Sequence, residues 1–520
     1  MNEACDNTDA SAGRRRFLTQ LGAAGAASIF PMNLLHAQAA SSTLRVRMGG
    51  DIALLDPAKI FGQESQTVSG NIYNGLVKYD QASNKIVPDL ARSWETSSDG
   101  TVYTFRLRDK VTWHKNFGPF TSDDVKFSLE RVLAKATGSP YAGQIGSIKS
   151  VETPDRLTAR IVLHQPNAGF LHKVSAFNQG WLVSRKAVTE IGEKYSLQPI
   201  GTGPFVFERW TPGSDVRLVA NKAYFEGAPK LSEVIFRVIR DETAAAIALE
   251  NREIDVFYQL NQPDVIGRLS KAKGITLLNR PANNTSNLVL NTTIKPLDDV
   301  RVRRAMAHAM NRKGLIDGFF KGTKGEAHTV LTPSFPENTP DVPRYPYDPA
   351  KARALLKEAG VSSFKFVITS LTLFPYDKMV VPLASDLSEV GIKTTLQIFE
   401  RGAYTQARSK GDIMSCITGV SGPPDPDSPL VTLFSTKSFP PGLNTMRYNK
   451  ADALLAKASA TLDPAARTAV YRELVKQIMT DLPLIPVFED RLYLAHTETV
   501  RGFVQNSLTT MQAYSVSLKR

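Results

Sequence analysis

The stretch PDLARSWETSSDGTVYTFRLRDKVTWH (residues 88–114), followed by FTSDDVKFSLERV (residues 120–132), carries two different periods side by side. TVYTFRLR alternates polar and apolar residues, the pattern of a half-buried strand. From Thr121 onward the apolar positions move to helical spacing. Thr121 is a natural N-cap, and Asp124 three residues on can complete a capping box, so a helix starts here. Strand and helix in so short a span point to an α/β chain.

The alternation continues in both directions. LRVRMGG from Leu44, LTARIVL, VRLVAN and EVIFRVI read as strands, and GTGPF (residues 201–205) is a tight break before FVFERW. DETAAAIALENREID reads as a helix leading into the strand DVFYQL. In the second half SNLVLNT is a strand, and Asp299 can cap a helix through VRVRRAMAHAM. Asp348-Pro349 opens a helix ending at Gly360, with Ala352, Leu355, Leu356 and Ala359 on one stripe. FKFVITS and KTTLQIF flank a helix near KMVVPLASDLSEVG. Asp463-Pro464 opens the last long helix, Pro483 and Pro486 stop it, and IPVFEDRLYLAH returns as strand. Strand–helix alternation twice over predicts two α/β lobes with a break near Pro281 to Asn287.

Composition agrees with a globular protein. The chain has 520 residues, 42% hydrophobic and 22% charged, which is enough for a large core and argues against disorder. The formal net charge of +13 raises the question of nucleic acid. The densest basic run, Arg301, Arg303 and Arg304, follows Asp298 and Asp299 on one helical face. That reads as solvated surface, and no aromatic-rich nucleic-acid signature accompanies it.

The N-terminus reads as an address. GRRRFLTQLGAAGAASIFPMNLLHAQA combines paired arginines (Arg14, Arg15), a modest Ala/Gly-rich apolar segment and an Ala37-Gln38-Ala39 end. This is the pattern of a cleaved twin-arginine export signal over residues 1–39, and it predicts a periplasmic mature chain. Removing it takes away three arginines and three acids (Glu3, Asp6, Asp9), so the charge of +13 is unchanged. Only Cys416 then remains, so no intrachain disulfide or cysteine metal cluster can form, and Cys416 reads as a small buried hydrophobe.

Enzyme templates fail. There is no G-x-S-x-G elbow, P-loop, G-x-G-x-x-G after a strand, or H-E-x-x-H. The six histidines that follow the export segment (His114, His164, His172, His308, His328, His496) show no metal-ligand spacing. Asp123-Asp124 and Asp298-Asp299 fall at helix starts, where carboxylates favour the dipole. Neither a catalytic residue nor a metal or cofactor is expected.

Several stretches together resemble the family 5 (peptide/dipeptide/oligopeptide/nickel type) periplasmic solute-binding proteins of ABC importers. NIYNGLVKYD (residues 71–80), the opening stretch, GTGPFVFERWTPG, DDVRVRRAMAHAMNR and YDPAKARALLKEAG recur in that family's order, from about Leu44 to Phe503. One departure is Lys115-Asn116, where the family carries Asp-Gly, which should alter only a surface turn. The resemblance implies a type II two-lobed binding-protein fold with a cleft between lobes. Lobe I would comprise residues 40–286 with an extra subdomain at about 79–195. Lobe II would be 287–487, and 488–520 would return to lobe I. It implies a monomeric receptor that closes on a small peptide or peptide-like solute and hands it to an inner-membrane ABC permease complex. Alternatives are a non-peptide solute of the same family (nickel chelate, haem, opine or sugar-like), a chemoreceptor partner, or a secreted hydrolase.

The resemblance also supplies cleft candidates. Phe61, Gln63, Glu64 and Ser65 lie in the early loop, Phe257 and Tyr258 end a lobe I strand, and Asn287 and Asn291 flank the crossing strand. Peptide-binding members pair the ligand ammonium with an aspartate in a Trp-x-x-Asp…Asp-Pro-Asp loop, which matches residues 419–427 here. Aligning Asp425-Pro426-Asp427 with Asp-Pro-Asp puts Gly422 at that aspartate and Gly419 at the tryptophan, with Val420 and Ser421 between. Dipeptide-type members carry a carboxylate-pairing arginine before a Pro-Tyr pair, and Phe374 precedes Pro375-Tyr376 here. Both charged anchors are absent in this register, so the expectation is a solute other than a free dipeptide held at both ends.

Overall fold

The computed structural model describes residues 42–519 except 61, 176, 420–423 and 509. The export signal expected over residues 1–39 lies outside these residues. The helix that opened the sequence reading is Ser122–Leu133, with Thr121 as its N-cap. The Thr121 N–H donates to Asp124 Oδ2 at 3.0 Å, closing half of the capping box. Asp299, Asp348 and Asp463 likewise accept backbone N–H groups at the starts of Val300–Ala309, Pro349–Glu358 and Pro464–Asp481. These helices begin where local chemistry places them.

Among the described residues, one 11-stranded mixed sheet runs through the molecule. Its order from one edge is Ile392–Phe399, Phe364–Leu371, Ser415–Gly419, Ile275–Leu290, Leu484–Thr497, Val256–Leu260, Thr43–Met48, Glu233–Val238, Asp215–Ala220 and Phe205–Thr211. Gly325–Glu326 pairs separately with Leu484–Thr497. A four-stranded antiparallel sheet (Ala91–Thr96, Val102–Leu107, Thr158–Leu163, Ile148–Asp155) stands apart from it.

The two longest strands, Ile275–Leu290 and Leu484–Thr497, are antiparallel partners, and their ladder is irregular in the middle, with register shifts between Pro281 and Thr285 and again between Ser286 and Asn287. Pairing runs from Ile275 with Thr497 to Pro281 with Arg491, shifts register, and resumes at Thr285 with Glu489. Proline has no N–H to give a ladder, so Pro281 is tolerated at the edge of the irregularity. On one side of the break the apolar core gathers Leu44, Val46, Phe105, Phe205, Val234 and their neighbours. On the other it gathers Leu288, Val302, Phe366, Leu383, Ile478 and Ile485. The result is two lobes with separate cores, joined through a two-strand crossing with an interrupted ladder. Rotation about such a crossing disturbs few core contacts.

Candidate functional site

A cavity of about 1030 Å³ lies at the crossing. Its floor is Ala282, Asn284 and residues 490–494, its walls come from both lobes, and Phe503, Gln505, Asn506 and Thr510 complete it. This volume is at the upper end for small-molecule sites.

The first wall is rich in carboxamides: Gln63, Gln66, Gln259, Asn261 and Gln262, with Glu64, Glu242 and Tyr258 among them. Arg47 builds part of it. This arginine is buried, lies 4.8 Å over the Phe257 ring, and donates to the carbonyls of Tyr258 (3.2 Å), Gln259 (2.8 Å), Ile239 (2.8 Å) and Arg240 (3.0 Å). It thereby holds Gln259 in a left-handed conformation, φ 61°. The Gln259 carboxamide then accepts from the Gly49 N–H at 2.9 Å and donates to Glu64 Oε1 at 3.4 Å. The Tyr258 hydroxyl accepts from Gln63 Nε2 at 3.2 Å, and burial pushes its phenol well up. Glu242 is committed to the backbone, accepting N–H groups of Asn261 (3.0 Å) and Gln262 (2.8 Å).

The facing wall is more apolar. Leu373 and Phe374 are 43% and 48% exposed, unusually open for such side chains, and the Phe374 ring lies 5.9 Å from Phe319. Tyr376 is half-buried beside them, and desolvation raises its phenol to about 12. Lys324 lies 2.7 Å from Asp490 and 5.7 Å over the Phe488 ring, so its charge is already partnered. Asn284 also donates to Asp490. Arg401 opens the helix Arg401–Lys410 at the cavity edge, and among the described residues no carboxylate pairs with it.

Four of the residues the sequence singled out therefore line one cavity: Gln63, Glu64, Tyr258 and Phe374. Others point elsewhere. Ser65 is buried and accepts the Ala53 N–H at 3.2 Å. Phe257 faces the opposite side of its strand, into a small core with Leu249 and Val265. Asn287 and Asn291 are buried, donating to the carbonyls of Thr285 (2.9 Å) and Ile413 (3.3 Å). Asp425 is 2.9 Å from Arg467 and does not line the cavity. Phe61, Val420, Ser421 and Gly422 lie outside the described residues. Sequence reasoning missed Lys324, Arg401 and Asp490, which look like ordinary surface charges until the fold brings them together.

Residues 85–441 match the family described as bacterial extracellular solute-binding proteins, family 5, middle. The chain is 30% identical over 478 residues to the dipeptide-binding protein of Escherichia coli K12, covering 86% of this chain and 89% of that one. The solved structure of HbpA2 from Haemophilus parasuis is similar with a TM-score of 0.83 at 29% identity, covering 92% of this chain and all of that one. The periplasmic binding protein DppA from Helicobacter pylori, solved with the peptide STSA, is similar with a TM-score of 0.79 at 30% identity, covering 92% and 98%.

Proposed function

Because the chain belongs to family 5 of the bacterial extracellular solute-binding proteins, we propose that it is a periplasmic receptor for a peptide or peptide-like solute. It acts as a monomer, leaves the cytoplasm through its twin-arginine segment, and delivers its cargo to an inner-membrane ABC permease complex. The two-sided cavity at the strand crossing is the observation that carries this reading. A solute touching both walls gains its full contacts only when the lobes are together, so binding shifts an open–closed equilibrium toward the closed form.

The walls also suggest the kind of solute. Carboxamides on one side offer paired donors and acceptors to amide groups, and exposed Leu373 and Phe374 on the other offer an apolar face. Phe374 stands where an arginine would pair a dipeptide carboxylate, which favours a capped or longer peptide over a free dipeptide. Carboxamides suit polyhydroxylated solutes too, so an opine- or sugar-like cargo is the second reading.

Mass spectrometry of the solute that co-purifies with the protein is the direct test. A peptide or amide-rich compound supports the proposal, and a haem, nickel chelate or sugar replaces it with that solute. Calorimetry against unmodified dipeptides is the counter-test, because submicromolar binding would remove the argument from Phe374. Added cargo should raise the melting temperature, with about 2.7 kcal/mol of stabilisation at a hundredfold excess over Kd.

A further inference from the structure

The lobes also meet at a place that does not line the cavity. One side is the loop around Asn167 and the short helix Phe170–Lys173, beside the four-stranded sheet. The other side comprises Asp425, the helix Asp427–Phe434, and Ser459 and Leu462 before the helix Pro464–Asp481. The Ala168 N–H donates to the Ser459 carbonyl at 2.9 Å. Lys173 Nζ lies 3.5 Å from Asp427 Oδ2. Gly169 comes so close to Asp425 that an added Cβ would sit 2.8 Å from its Oδ2. Leu462 packs in the same way on Gly100, 2.8 Å from where a Cβ would be.

Three features distinguish this seam from a permanent core. First, the two apolar clusters remain separate across it, so parting it uncovers largely polar groups that water can satisfy. Second, the acidic half is assembled within its own lobe. Arg467 Nη2 donates to Asp425 Oδ1 at 2.9 Å, and the hydroxyls of Tyr471 and Ser459 donate to Asp427 Oδ1 at 3.1 and 3.3 Å. These carboxylates stay partnered whether or not Lys173 is present. Third, a cavity of about 220 Å³ lined by His172, Lys173, Gln179, Asp427 and Val431 leaves the seam less filled than a core.

We propose that this seam is a latch, resting on the reading of the protein as a closing receptor. Lys173, Ala168 and Gly169 dock on the preassembled Asp425–Asp427 segment only in the closed form. The latch therefore sets the open–closed balance, and with it the affinity for any cargo, without touching that cargo. By contrast the rim pair Lys321–Asp264 joins the lobes through side chains 55% and 80% exposed, where solvent screening leaves little.

Two independent variants test it in the full chain, both as purified with its solute and after the solute is stripped by urea and the protein refolded. Lys173→Glu sets a like charge against Asp427, and Gly169→Ala wedges a methyl group against Asp425 at a backbone conformation (φ −83°) that alanine adopts freely. Both should enlarge the radius of gyration in small-angle scattering and speed amide exchange at Ala168. The open-to-closed ratio should rise roughly tenfold, and both variants should carry less co-purified solute. Unchanged radius and exchange in both variants would make the seam a fixed interface and overturn the latch. The receptor reading would survive that result, because the co-purified solute judges it independently.

Discussion

Asp89 offers a sharp test of how burial sets the pH response of this protein. Its carboxylate is wholly buried and accepts from Asn74 Nδ2 at 2.8 Å and from the Gly75 N–H at 2.9 Å. The nearest cation, Lys78, is 3.8 Å away and sits closer to Glu226, at 2.7 Å. Desolvation outweighs these contacts and raises the carboxyl to about 6 from 3.8. Between those values the folded chain holds a proton that the unfolded chain has released. Stability therefore falls as pH rises through this window, by about 3 kcal/mol, and the penalty is complete at neutral pH. Asparagine keeps the shape and never ionises. The stability of Asp89→Asn minus that of wild type should therefore grow by about 3 kcal/mol from about pH 4 to about pH 7. Any constant offset from the exchanged hydrogen bonds leaves that growth intact. His114 works in the opposite sense, because burial lowers its imidazole to about 4 from 6.5. On acidification the unfolded chain takes up that proton first, so stability is lost as pH falls from 6.5 toward about 4. The two slopes oppose each other in wild type, and Asp89→Asn should uncover the His114 slope. Urea denaturation at one-unit pH intervals measures all of this. A mutant-minus-wild-type difference that stays flat with pH would refute the reasoning.

Gly201 and Gly203 approach the Ile72 carbonyl so closely that an added Cβ would lie 2.0 and 2.5 Å from its oxygen. Gly201→Ala should cost upward of about 3 kcal/mol by chemical denaturation, since backbone must move to relieve the contact. Arg467→Met should be similarly damaging, by about 3–5 kcal/mol, because it leaves Asp425 buried without its cation. That loss should shrink in acid as Asp425 takes up a proton, and a melting series against pH reads it directly. Phe374→Ala should leave solute-free stability nearly unchanged, because the ring is 48% exposed. It should weaken binding of the co-purified solute roughly tenfold by calorimetry, the loss of one partly buried aromatic contact.

The sequence was most legible where structure is decided locally. The caps at Thr121, Asp299, Asp348 and Asp463 need only a side chain and the N–H groups two or three residues on, and all four start helices. The stripe Ala352, Leu355, Leu356 and Ala359 does pack against the second core. The crossing strand was harder. The sequence offers a break near Pro281 to Asn287 and a strand only over SNLVLNT, yet Ile275–Leu290 is one strand that runs through Pro281, because the shift of register removes the need for its missing N–H. At the site, adjacent strand residues point to opposite faces. The pair Phe257-Tyr258 thus named the right place but could not say which ring faces the cavity.

The Asp-Pro-Asp segment shows both limits at once. Its turn character is visible in sequence, but the partner of Asp425 lies 42 residues away on the last long helix. There was a signal, since Arg467 and Tyr471 are four apart and share one helical face, and that face meets both aspartates. Lys115-Asn116 is the reverse case, a departure from the family that the chain tolerates at a local cost. Both residues are held at positive φ, 53° and 61°, where glycine would be free and lysine is strained. The strain stays in a three-residue turn because His114, next to it, is anchored through its ring to the Gly203 carbonyl at 2.9 Å and through its N–H to the Gly201 carbonyl at 2.9 Å. Lys115→Gly should therefore stabilise the protein by about 1 kcal/mol and leave the fold unchanged. Calorimetric melting checks this, and a destabilised Lys115→Gly protein would mean that the lysine's contact with the Phe207 ring, 5.8 Å away, outweighs the backbone strain.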